Sequence, residues 1–126
     1  MSDKTIGAIE WRDLTVGDAE GVRDFYQEVV GWKTSPVSMG DYDDYNVNLP
    51  ESGDTIAGIC HASGPNKDIP PVWLMYVRVA DIKQSVRHPL SLGGKVLSGP
   101  SSFGGDDMFV IQDPAGAVLG LVGLRT

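Results

Sequence analysis

The chain has 126 residues, of which 41% are hydrophobic and 21% charged, and this is the size and balance of one globular domain. The formal net charge of −7 argues against a basic surface for nucleic acid, and no apolar run is long enough to cross a membrane. Cys60 is the only cysteine, which excludes an internal disulfide. Because the start of the chain lacks a basic-then-apolar leader, we expect a cytoplasmic protein.

The first half of the chain predicts a strand, a helix and three more strands. Residues 6–16 have the pattern of a strand, and Asp18 has the side chain of a helix N-cap. The helix carries one apolar stripe and ends at Gly31, and strands follow at 32–37, 45–49 and 55–61. The members of the stripe are Val22, Phe25, Tyr26, Val29 and Val30.

The second half repeats this order after a glycine- and proline-rich linker at 62–71. A strand at 72–79 precedes a helix that begins after Asp81 and stops at Gly93 and Gly94. Strands are then predicted at 95–98, 108–112 and 117–124. Pro89 removes a backbone donor inside the helix, so we expect that helix to be short, kinked or partly irregular between residues 88 and 92.

A constant offset in residue number, half the length of the chain, superimposes the two halves. It places Leu14 on Val77, Asp18 on Asp81, Gly31 on Gly94, Val47 on Val110 and Ile56 on Leu119. A fixed internal period of this length indicates one structural unit used twice. The sequence therefore predicts a single domain over 1–126, with a first unit at about 5–61 and a second at about 72–125. A ligand would bind in the concavity between the two units.

Two short segments carry a family resemblance. Residues 25–32, Phe-Tyr-Gln-Glu-Val-Val-Gly-Trp, and residues 113–119, Asp-Pro-Ala-Gly-Ala-Val-Leu, occur at the places that the βαβββ order gives them. The chain resembles the vicinal oxygen chelate superfamily of glyoxalases, bleomycin resistance proteins and extradiol dioxygenases. The resemblance implies an α+β fold in which two tandem βαβββ units form an eight-stranded half-barrel with the helices outside. It also implies a homodimer.

The metal ligands of the family lie on the first and last strands of each unit. The corresponding positions in this chain are Trp11, Ala57 or Gly58, Leu74 or Met75, and Gly120. None of these residues has a side chain that binds a divalent metal. Glu10 is adjacent to the first position, but strand alternation directs it to the other face. The chain thus resembles a subgroup without metal ligands, and we expect neither a metal nor another cofactor.

Strand alternation selects a ligand-binding face. Trp11 and Asp13 share one face of the first strand, and Tyr76 and Arg78 share the matching face in the second unit. Tyr45 would stand beside Trp11 as an aromatic wall, and Gly120 would leave room for the ligand. The predicted ligand-binding residues are Trp11, Asp13, Tyr45, Leu74, Tyr76, Arg78, Met108 and Gly120. A structural ion pair between Asp13 and Arg78, and core packing for Met108, are the alternatives.

Other polar residues have two interpretations each. Cys60 and His61 could form a functional pair at an irregular strand end, but as strand neighbours they should point to opposite faces, with Cys60 packed and His61 at the surface. His88 is expected to be a solvated helix residue. The acidic turns at 41–44 and 106–107 would attract a cationic ligand if they border the groove, and otherwise keep the protein soluble.

Three functions fit the sequence. The first is a metal-independent protein that binds a small molecule, planar or cationic, in the groove. The second is an isomerase or lyase that acts on a small carbonyl compound, with Asp13 as the catalytic general base. The third is a protein-interaction module in which the chain's own side chains fill the groove.

Overall fold

The computed structural model describes residues 5–125, except for the side chains of residues 65, 88–91 and 103. The elements follow the order β-α-β-β-β twice, with a single 3₁₀ turn at Gly64–Asn66 between the repeats. The first repeat contains β1 (Ile9–Val16), α1 (Ala19–Val30), β2 (Lys33–Ser38), β3 (Asp43–Asn48) and β4 (Thr55–His61). The second contains β5 (Trp73–Arg78), α2 (Ile82–Ser91), β6 (Lys95–Phe103), β7 (Asp106–Gln112) and β8 (Val118–Leu124).

The contacts between residues divide the chain into two compact units. The N-terminal unit is Arg12–Trp73, and the C-terminal unit combines the residues up to Trp11 with those from Leu74 onward. Each unit has the same strand order: β2-β3-β4-β1 in the first and β6-β7-β8-β5 in the second. In each, the first and last strands of the repeat pair in parallel, and the other pairs are antiparallel. The α+β class and the βαβββ repeat are confirmed.

Helix α1 packs on the sheet by a narrower line of residues than the sequence predicts. The Asp18 carboxylate accepts a hydrogen bond from the Gly21 backbone N–H at 3.0 Å, as a helix cap does. Ala19 is fully buried, whereas Phe25 and Val29 are 57% and 62% exposed. Positions 25 and 29 are one helical turn apart and share one line of the helix surface. The prediction that Phe25 and Val29 are buried is therefore wrong. The helix contacts the core through its first turn, at Ala19, and through Tyr26.

Helix α2 is shorter than α1 and remains helical through Pro89. Its first turn is capped by Asp81, whose carboxylate accepts from the Gln84 backbone N–H at 3.1 Å. The glycine with a left-handed backbone after this helix is Gly93, with φ of 89°, which is the first of the two glycines predicted to stop the helix. The offset matched Gly94 to Gly31, and this match is corrected by one residue.

The offset between the repeats is not constant along the chain. The predicted offset matches Asp13 to Tyr76. In the sheet these two residues pair with Gly58 and Gly120, whose separation in sequence is one residue smaller than the predicted offset. Gly58 and Gly120 pair in turn with Asn46 and Val110 on the antiparallel strands. The separation of Asn46 and Val110 in sequence is one residue larger than the predicted offset. A shift of one residue exchanges the two faces of a strand. The single offset therefore holds for the first strands and the helix starts, but it is wrong for the third and fourth strands.

Within residues 5–125, neither helix has the length and hydropathy needed to span a membrane.

Candidate functional site

A buried ionic cluster surrounds Arg78 in the C-terminal unit. Arg78 is only 2% exposed, and its guanidinium donates to the Glu10 carboxylate at 2.7 and 2.9 Å. It also donates to both oxygens of Asp106 at 3.1 and 3.0 Å. The hydrogen bonds that Arg78 donates to Glu10 and Asp106 raise the pKa of Arg78, so the guanidinium stays protonated. The cluster of Glu10, Arg78 and Asp106, the Arg78 cluster, joins β1, β5 and β7.

Neither carboxylate in the Arg78 cluster was expected there. The sequence offered Asp13 as an alternative ion-pair partner of Arg78, placed Glu10 on the other face, and placed Asp106 in an acidic turn. Glu10 lies on β1 beside Trp11, and its carboxylate nevertheless reaches the Arg78 guanidinium. Asp106 is the first residue of β7 and is 5% exposed. The Arg78 guanidinium already donates to two carboxylates, so its role is to hold β1, β5 and β7 together.

Tyr76 occupies the space that Gly120 was expected to leave open. The two residues are in register on β5 and β8, and Tyr76 is 4% exposed. A Cβ atom on Gly120 would overlap the Tyr76 ring atoms Cδ2, Cε2 and Cγ. The expectation of an empty space beside Gly120 is therefore wrong, since an aromatic ring fills it.

The remaining predicted residues are divided between the two units. Leu74 is fully buried on β5, and Met108 on β7 is half-buried and in register with Val122, the parallel partner of Arg78. Trp11 is half-buried on β1, and it is the last residue of the N-terminal segment that belongs to the C-terminal unit. Asp13 belongs to the N-terminal unit, where it is 9% exposed and in register with Gly58. The C-terminal unit thus brings together Leu74, Tyr76, Arg78, Met108 and Gly120.

Tyr45 lies on the face of β3 that packs against α1. It belongs to the apolar core of the N-terminal unit with Ala19 and Val47, and its hydroxyl donates to Glu20 of α1 at 2.9 Å. The prediction that Tyr45 faces the ligand groove is therefore wrong, because its ring and hydroxyl contact α1. The single offset matched Tyr45 to Met108, but the register of the strands matches the two repeats with a shift of one residue there.

A second polar cluster lies beside α1. His61 Nε2 is 3.1 Å from Glu20 Oε2, and His61 Nδ1 is 3.3 Å from Asp44 Oδ1. The same Asp44 oxygen accepts from the His61 backbone N–H at 2.9 Å, and the Tyr42 ring packs on the imidazole with centroids 5.0 Å apart. With Tyr45 on Glu20, these residues form a hydrogen-bonded chain, the His61 cluster, defined as Glu20, Asp44, Tyr45 and His61.

The groups of the His61 cluster shift one another's proton affinities. Burial lowers the pKa of His61, but the hydrogen bonds and charges of Glu20 and Asp44 outweigh it, and the pKa is raised. The hydrogen bonds from Tyr45 and His61 lower the pKa of Glu20. Burial, with the neighbouring Glu20, raises the pKa of Tyr45. Each shift favours a carboxylate next to a protonated imidazole and a neutral phenol.

The Cys60 thiol adjoins the His61 cluster through Asp44, and its environment keeps it protonated. Burial raises the pKa of the Cys60 thiol, and the charges of Asp13 and Asp44 raise it further, so the thiol stays protonated. A functional thiol–imidazole pair needs a thiolate, and this environment opposes one. The side chain of His88 lies outside the described residues, so its predicted role is not addressed.

The strand positions where the resemblance places metal ligands hold no donor side chains. Leu74 and the glycines offer no ligand atoms, and the Tyr76 ring covers Gly120. Across the described side chains, no group of three or more His, Cys, Asp or Glu residues could hold a metal ion. The residues present therefore do not fit a metal ion at the family position.

The comparison with known proteins assigns the family. Residues 5–121 match the model of the Glyoxalase/Bleomycin resistance protein/Dioxygenase superfamily. The chain belongs to this superfamily. Two similar proteins are CFP32 of Mycobacterium bovis and CFP32 of Mycobacterium tuberculosis, described provisionally as glyoxylases. Each is 30% identical over 121 residues, which are 91% of this chain and 45% of the relative. The chain thus spans about half the length of these relatives.

Two solved structures share the fold of this chain. A methylmalonyl-CoA epimerase from Mycobacterium tuberculosis matches with a TM-score of 0.53 and 17% identity, covering 100% of this chain and 94% of that one. A superfamily member from Vibrio splendidus matches with a TM-score of 0.56 and 15% identity, covering 90% and 96%. At these identities the likeness concerns the fold alone.

Sequence reasoning missed the carboxylates of both polar clusters. A cation in a buried strand needs carboxylate partners, so Arg78 between apolar residues already indicated a buried ion pair. The chain has 17 acidic residues, and nothing in their spacing selects Glu10 and Asp106. Glu20 and Asp44 were missed for the same reason, since their contact with His61 joins a helix to two strands.

Proposed function

We propose that this chain is a metal-independent small-molecule-binding protein of the superfamily. The observation that carries the proposal is the Tyr76 ring packed on Gly120, at a position where the resemblance expects a metal ligand. The ring fills this position with apolar surface, which supports recognition by apolar contact in place of coordination. The ligand surface is the part of this face that carries the half-buried Met108, with the half-buried Trp11 on the adjoining strand.

The Arg78 cluster has a supporting role in this proposal. Its guanidinium makes four hydrogen bonds to carboxylates, which fixes the strands behind the ligand surface. Two carboxylates around one guanidinium leave one negative charge in excess. This excess favours a neutral or cationic ligand over an anion.

A thermal-shift screen of planar metabolites and cationic antibiotics tests the proposal, because a ligand of the native state raises the melting temperature. Hits are measured by calorimetry with and without EDTA, and we expect equal affinity in both. The Trp11→Ala variant should bind about 1–3 kcal/mol more weakly if the indole stacks on the ligand. Cys60→Ser is the control and should bind normally. Intact affinity in Trp11→Ala with loss in Cys60→Ser or His61→Ala would contradict the proposed surface.

An isomerase or lyase with Asp13 as general base is the second candidate. The observation in its favour is that Asp13 is a buried carboxylate, and the fold is shared with a methylmalonyl-CoA epimerase. If a screened carbonyl compound is turned over, Asp13→Asn should abolish turnover while Asp54→Asn, at an exposed turn, should not. A screen without any binder would instead favour an interaction module whose ligand surface is filled by Tyr76.

A further inference from the structure

An open cleft lies between α1 and strands β2 and β3 of the N-terminal unit. Its volume is about 320 Å³, close to the lower limit of about 300 Å³ for small-molecule sites. The cleft is formed entirely within the N-terminal unit, so it is separate from the ligand surface proposed above. Its lining residues are Arg23, Asp24, Gln27, Thr34, Pro36, Asp43 and Tyr45.

Arg23 is held in place at this cleft and retains unused donors. Its guanidinium carbon lies 4.7 Å from the centroid of the Tyr45 ring, and its Nε and Nη2 atoms both contact one oxygen of Asp24, at 3.0 and 2.9 Å. Within residues 5–125, Nη1 has no hydrogen-bond partner. A guanidinium that is stacked and ion-paired loses little further freedom when a carboxylate binds to it.

Gln27 and Asp43 supply one further donor and one acceptor. The Thr34 hydroxyl donates to Gln27 Oε1 at 2.6 Å, which fixes the amide and leaves its nitrogen without an acceptor among the described residues. The Asp43 carboxylate also has no hydrogen bond or ion pair in the described part of the chain. The cleft therefore presents donors on α1 and a carboxylate on β3.

We propose that this cleft binds a small zwitterion of the α-amino acid type. Arg23 and Gln27 bind its carboxylate, and Asp43 binds its ammonium group. A simple anion would meet the two like charges of Asp24 and Asp43, and a simple cation would meet the like charge of the Arg23 guanidinium, so the cleft opposes both kinds of ion. A molecule that carries both charges satisfies the donors and the acceptor together.

The test is NMR titration of the ¹⁵N-labelled full chain, observing the Arg23 Nε–H and Gln27 side-chain amide resonances. The probes are L-alanine, acetate and methylammonium chloride, each at matched concentration and ionic strength. We expect L-alanine to shift both sets of resonances and to bind at least about tenfold more tightly than acetate or methylammonium, since each charged hydrogen bond contributes about that factor.

Matched variants connect the binding to the named residues. Arg23→Gln and Asp43→Asn should each weaken L-alanine binding at least about tenfold, and Arg87→Gln, an exposed arginine on α2, should not change it. The backbone amide spectrum of each variant verifies its fold, and Asp43→Asn, at an exposed residue, keeps the test valid if Arg23→Gln is unstable. Absence of shifts with L-alanine, or equal binding of acetate or methylammonium, would overturn the zwitterion site.

Discussion

At the scale of single residues, the contact between Tyr76 and Gly120 depends on a missing side chain. Because a Cβ on Gly120 would overlap the aromatic ring, we expect Gly120→Ala to lower the free energy of unfolding by about 1–3 kcal/mol. The matched control is Gly17→Ala, where a Cβ would meet no atom within 4 Å. Urea denaturation of both variants measures the difference. Equal stabilities would show that the ring can move away without cost.

The Arg78 cluster gives a second prediction at this scale. Arg78→Met leaves the carboxylates of Glu10 and Asp106 buried without a cation, so we expect a loss of about 3–5 kcal/mol in unfolding free energy. Arg87→Met, at an exposed position on α2, should change it by no more than about 0.5 kcal/mol. Denaturant midpoints check this pair. A loss in Arg78→Met as small as that of Arg87→Met would contradict a supporting role for the cluster.

At the scale of elements, the His61 cluster fastens α1 to strands β3 and β4. The pKa of His61 is raised in the folded state, so its contribution to stability is complete below the ordinary value of 6.5 and is lost as the pH rises through the folded value. The pKa of Glu20 is lowered, so its contribution is present above its ordinary value of 4.5 and is lost as the pH falls through the folded value. The contribution of the His61 cluster to the free energy of unfolding is therefore largest between pH 4.5 and pH 6.5.

The difference in stability between the native protein and His61→Gln therefore depends on pH. We expect the native protein to exceed the variant most at a pH between 4.5 and 6.5, and the difference to shrink at higher pH as His61 loses its proton. Urea denaturation at a series of pH values measures it, with Cys60→Ser as a control whose difference should not follow this curve. A difference that grows with increasing pH would contradict the arrangement.

At the scale of the whole molecule, the absence of donors at the family metal position predicts metal independence. Chelation with EDTA should leave the melting temperature unchanged, because the mapped positions offer no side chain that binds an ion. Elemental analysis of untagged protein should find no stoichiometric Zn, Ni, Mn or Fe. About one ion of any of these metals per chain would show that residues other than the mapped ones bind it.

A homodimer remains a prediction from the family resemblance. Sedimentation velocity should give about twice the monomer mass of 13.5 kDa, by two-fold symmetric association of identical chains. A single boundary at the monomer mass would contradict it.

The sequence alone determined the local structure, because its determinants are local. The β4 bounds at Thr55–His61 were predicted to the residue, and the caps Asp18 and Asp81 act as their side chains indicated. The motifs of residues 25–32 and 113–119 identified the family, which the match over residues 5–121 confirms.

Tertiary structure alone decided which way the strands face and which charges meet. Alternation says that Tyr45 and Val47 share a face, but whether that face meets α1 depends on register, and one residue of slip reverses it. The partners of Arg78 come from β1 and β7, so their contact depends on how distant strands assemble in the unit. A buried cation in the sequence demands a carboxylate, and only the folded chain selects which one.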